Sequence, residues 1–74
     1  MKLKKNPKRY NCKYGTIVEE AYIDKEVGPH RIDGPAIIRH NIETGELLEE
    51  VYYIHGKEYK SEFEYWVTVA SSTK

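Results

Sequence analysis

The chain has 74 residues, 39% of them apolar and 32% charged, and its twelve basic side chains balance its twelve acidic ones. A chain of this size buries only about 60% of its unfolded surface, which leaves room for one thin-cored domain and excludes a dinucleotide fold, a second domain or a deep enclosed pocket. The single cysteine, Cys12, rules out an intramolecular disulfide, and no apolar run approaches the roughly 18 residues a membrane span needs.

The two signs of charge are segregated. Residues 1–13 hold Lys2, Lys4, Lys5, Lys8, Arg9 and Lys13 and no acid, whereas residues 14–74 hold the other six bases and all twelve acids. The pattern predicts a basic arm over 1–13 joined to an acidic domain over 14–74. An apolar stretch does not follow the N-terminal bases, so the sequence predicts no secretory leader and a cytoplasmic chain. Lys4, Lys5, Lys8, Arg9, Tyr10 and Lys13 are the candidates for contacting nucleic acid, through phosphate contacts and stacking.

An internal repeat follows at an offset of thirty residues. Gly15-Thr16-Ile17-Val18-Glu19-Glu20-Ala21-Tyr22 aligns with Gly45-Glu46-Leu47-Leu48-Glu49-Glu50-Val51-Tyr52, with four identities and three aliphatic exchanges among eight positions. Each copy opens at a turn glycine and continues in β-favouring residues, so the repeated unit over 14–60 reads as a β-hairpin. Pro35 to His40 reads as the strand before the second copy. Gly45 then supplies a left-handed turn residue, and His55-Gly56 closes a two-residue turn into Lys57-Glu58-Tyr59.

The period changes near the C-terminus. Tyr59, Phe63, Trp66, Val67 and Ala70 form an apolar stripe at helical spacing. Ser61 and Glu64 make a capping-box pair, so a helix is expected over about 62–71, with Trp66 and Phe63 as its main buried anchors. The fold class is therefore α+β: a small antiparallel meander of four or five strands with one C-terminal helix.

His30-Arg31-Ile32-Asp33-Gly34-Pro35-Ala36, with Tyr52-Tyr53-Ile54-His55-Gly56-Lys57 downstream, resembles the HRxDGPA-type repeats of small phage and bacterial proteins, which are loosely grouped with MORN-like repeats. The resemblance spans roughly residues 14–66. It departs at His55, where the family has asparagine, and at Asp24-Lys25-Glu26-Val27, which lacks the turn glycine. It implies a meandering sheet ending in a short helix, a phage or mobile-element origin, and an interaction surface with no implied activity. The turn chemistry of Asp33-Gly34-Pro35 agrees with a structural role for the motif.

Catalytic signatures are absent. His30, His40 and His55 fit no compact zinc spacing, and their setting beside turn glycines predicts that His30 and His55 are exposed. Adjacent carboxylates such as Glu19-Glu20 and Glu49-Glu50 point to opposite faces of a strand, so a pair in sequence is not a pair in space. There is no phosphate loop or nucleophile elbow. The expectation is a non-catalytic interaction module without cofactor or metal, acting as a phage accessory factor that binds and inhibits a host defence protein. Glu49, Glu50, Tyr52, Tyr53 and His55 are the expected partner contacts. The alternatives are nucleic-acid binding through the basic segment and a homodimer formed through open sheet edges.

Overall fold

The computed structural model describes residues 3–72. Lys2, counted in the basic segment, lies outside the described residues. Within them, six strands form one antiparallel sheet and one helix follows: β1 (Arg9–Tyr14), β2 (Ile17–Asp24), β3 (Gly28–Pro29), β4 (Ile37–Asn41), β5 (Leu47–Ile54), β6 (Lys57–Tyr59) and α1 (Glu62–Ser72). Strand order is β1-β2-β4-β5-β6, with β3 paired to the end of β2. The sixth strand beyond the expected four or five is the two-residue β3.

The basic segment is not a free arm. From Arg9 onward it is β1, paired along its length with β2 from Arg9–Tyr22 to Tyr14–Ile17. The preceding residues are tied down too: Lys4 Nζ bridges Asp24 at 3.1 Å and Glu26 at 2.8 Å, and Asn6 Oδ1 accepts from the Ile32 N–H at 2.8 Å. Charge segregation marked these residues as separate, but the acidic first repeat is itself their partner surface.

The two copies of the repeat, β2 and β5, flank β4 and do not pair with each other. Arg39 on β4 lies opposite Glu19 on one side and Glu49 on the other, and its guanidinium bridges both carboxylates. Equivalent positions of the repeat thus share one central cation. The hairpin turns follow the sequence: Gly45 has φ 76°, and His55 and Gly56 have φ 50° and 81°, left-handed at both turn positions. In the first copy the Asp24 carboxylate accepts from the backbone of Glu26 and Val27, closing a turn that ends at Gly28.

The molecule is a plate, 41 × 26 × 15 Å, with a very small core. Ala36, Ile54, Tyr65 and His30 are the buried side chains among the described residues. Helix α1 occupies the expected span and starts from Ser61, whose hydroxyl accepts from the Glu64 N–H at 3.4 Å. Its rotation differs from the expectation. Phe63 is 78% exposed and Trp66 41%, whereas Tyr65 is fully buried. Tyr65 packs on Tyr52 and Tyr59, with ring centroids at 4.7 and 6.2 Å. The surface under the helix includes polar turn backbone, which selects a ring with a hydroxyl over Phe63 or Trp66.

Candidate functional site

The HRIDGPA segment forms the receptor for that helix. The Tyr65 hydroxyl lies between the carbonyls of Arg31 and Gly34 and accepts from the Gly34 N–H at 3.3 Å. Arg31 donates to Asp33 at 2.6 Å and to the Pro35 carbonyl at 3.0 Å, and its guanidinium lies 4.3 Å from the centre of the Tyr22 ring. This pairing holds the Asp33 carboxyl below the ordinary carboxylate range. Ala36 is fully buried where β2 and β5 converge, donating to Val51 and accepting from Tyr22. Each matched motif residue described here has a structural partner, so the segment organises the fold.

His30 is fully buried, against the expectation of an exposed turn residue. Its Nδ1 accepts from the His55 N–H at 2.9 Å, and its Nε2 donates to the Lys4 carbonyl, also at 2.9 Å. Both ring nitrogens are therefore used by a neutral imidazole. His55 stacks on it at 4.8 Å and accepts from the Lys4 N–H at 3.3 Å through Nε2. Burial is the main cause that pushes the His55 imidazole below its ordinary 6.5, and the nearby Lys4 ammonium adds to it. Contacts from residues 26 and 25 positions away produce this cluster, so no local signal could have shown it. No group of three metal-ligating side chains occurs among the described residues.

The expected contact residues divide. Glu49, Glu50 and Tyr52 line one open groove of about 510 Å³, together with Leu47, Leu48, Val51, Glu58, Tyr59, Lys60 and Glu62. Tyr53 does not line it: it lies in the stretch of β5 that β6 pairs, opposite Glu58, and its carbonyl accepts from the Arg31 N–H at 3.1 Å. His55 belongs to the histidine stack and is also absent from the groove. The sequence missed Glu58 and Glu62, because only the β5–β6 hairpin and the start of α1 bring them beside β5.

Two properties distinguish this groove. The first is charge: Glu49, Glu50, Glu58 and Glu62 line it beside Lys60, with Glu49 ion-paired to Arg39 of β4. Tyr52 donates to Glu62 at 2.8 Å, and burial, with the Glu62 carboxylate next, pushes the Tyr52 phenol up to about 12. The second is open backbone, because β6 covers only Tyr52–Ile54 of β5. The stretch from Leu47 to Val51 has no strand on its outer side among the described residues, and Leu47 and Leu48 are about half exposed there.

The basic candidates form a different surface. Lys4 and Arg9 are committed to acids of the same chain, Arg9 reaching Glu20 at 3.4 Å. The hydrogen bond to Glu26, with that to Asp24 next, raises the Lys4 ammonium above its ordinary range. Lys5, Lys8, Tyr10 and Lys13 are exposed, and Cys12 is an exposed thiol on the same strand. No helix among the described residues is long and apolar enough to cross a membrane. No protein-family model matches the chain, and neither does any curated protein or solved structure.

Proposed function

We propose that the protein is a non-catalytic interaction module whose binding surface is the acidic groove between β5, β6 and α1. The observation that carries this reading is the convergence of Glu49, Glu50 and Tyr52 with Glu58 and Glu62 beside unpaired strand backbone. Open strand edges bind extended segments through main-chain hydrogen bonds, while flanking pockets and charges set specificity. Exposed Leu47 and Leu48 and half-buried Tyr52 and Tyr59 add apolar contact, as interfaces generally require. The resemblance to phage and bacterial repeats supports the role of an accessory factor that engages and inhibits a host defence protein, with a basic partner surface.

The test is an affinity capture from bacterial lysate, with and without nuclease treatment, using the whole chain and the double variant Glu50→Lys/Glu58→Lys, which spares the Arg39–Glu49 ion pair. The expected result is a stoichiometric protein band that the variant loses. Recovery of nuclease-sensitive material alone, abolished by Lys8→Glu/Lys13→Glu, would overturn the reading in favour of nucleic-acid binding by the basic strand.

A further inference from the structure

We propose that strand β1 from a second copy of this chain fills the acidic groove, so that the sheet continues from one molecule into the next. This rests on the reading of the groove as an interaction surface and names its occupant.

Open backbone is the first reason. All six residues of β1 are exposed, and no described strand lies beyond it. At the opposite edge, Val51 turns its carbonyl inward to the Ala36 N–H. Strand alternation then directs the backbone of Glu50 to the open side. One edge is thus a six-residue strand and the other a five-residue vacancy in the ladder.

Charge selects which edges meet. The β1 edge presents Lys13, with Lys8 just before it, and the groove presents Glu50, Glu58 and Glu62, while Arg9 and Glu49 are held within the chain by Glu20 and Arg39. Joining β1 to β1, or β5 to β5, brings two edges of the same sign together, which repulsion between them disfavours. Joining β1 to β5 sets opposite charges together. Tyr10 and Tyr14, 50% and 61% exposed, and Leu47 and Leu48, 53% and 46% exposed, supply apolar surface on the two edges.

Direction agrees with charge. Every neighbouring pair in β1-β2-β4-β5 is antiparallel, so β5 runs opposite to β1. A second copy facing the same way therefore meets the β5 edge in antiparallel sense, like every other pair in the sheet. The thin core gives the contact a driving force, because docking buries apolar surface that one copy leaves in water. The interface is heterologous: each added copy leaves one β1 edge and one β5 edge open, and association is open-ended.

The experiment is sedimentation of the full chain over a wide concentration range, beside Lys8→Glu/Lys13→Glu and Glu50→Lys/Glu58→Lys, with circular dichroism to verify each fold. These substitutions spare the Arg9–Glu20 and Arg39–Glu49 ion pairs. The wild-type mass should rise with concentration, and the rise should weaken with added salt. Each variant alone should stay at the mass of one chain, and an equimolar mixture of the two should regain the rise. Should either variant lose its sheet spectrum, Lys13→Gln and Glu50→Gln replace them, and each should weaken the rise. A single-chain mass at every wild-type concentration would overturn the inference, as would association that both variants retain or a mixture that stays monomeric. Such failure leaves the lysate capture free to succeed, so the two readings fail separately.

Discussion

The hydroxyl of Tyr65 donates toward the Gly34 carbonyl at 2.8 Å and accepts from the Gly34 N–H at 3.3 Å, across 31 residues of sequence. This contact docks the helix onto the turn that precedes β4. Tyr65→Phe keeps the ring but leaves a buried N–H without its acceptor, at a cost of about 1–3 kcal/mol. Denaturant melts should show that loss with little change in helix content.

The outward rotation of the helix makes the reverse prediction for Phe63. With 78% of its surface exposed, Phe63→Ser should change stability by no more than about 0.5 kcal/mol. A loss comparable to that of Tyr65→Phe in the same melts would mean that Phe63, and not Tyr65, faces the sheet.

Glycine substitutions separate a backbone angle from a backbone contact. Gly45 and Gly56 both have positive φ, but a Cβ at Gly45 meets nothing within 4 Å, whereas one at Gly56 collides with the Val27 carbonyl oxygen. Gly45→Ala should cost about 1 kcal/mol from the angle alone. Gly56→Ala should cost clearly more, because it also separates the two hairpin turns joined by the Gly56 N–H to Pro29 carbonyl bond. Equal midpoints for the two variants in urea would contradict this packing of turn against turn.

The histidine stack predicts an acid-sensitive fold. Burial first, and then the nearby Lys4 ammonium, lower the His55 pKa on folding, so the unfolded chain binds more protons near 6.5. Stability is fully present above that value and is lost as pH falls through the lower, folded one. Asp24, lowered first by the Glu26 N–H and further by Lys4, acts separately, its contribution being lost only below 3.8. Thermal melts at descending pH should show the first decline in the wild type. His55→Asn retains a residue tolerant of positive φ and should flatten it.

The legible features of the fold are local ones. Gly45 and His55-Gly56 announced their turns because left-handed φ strongly favours such residues. Ser61 marked the helix start because an N-cap oxygen acts within one turn. In the candidate site, Glu49, Glu50 and Tyr52 were legible as an acidic, aromatic strand, whereas Glu58 and Glu62 reach it only through the chain's return beside β5.

By itself the sequence determined the repeated hairpins, the α+β class and the span of the helix, since periodicity, turn residues and caps act over a few positions. Tertiary structure alone decided which way the helix faces, that His30 is buried, and that the basic segment is a strand. Those outcomes depend on partners distant in sequence: the Gly34 backbone for Tyr65, Lys4 and His55 for His30, and the first repeat for Arg9–Tyr14. Hydrophobic period reveals that a helix has an apolar stripe. Unsatisfied backbone elsewhere in the fold selected the face that was buried.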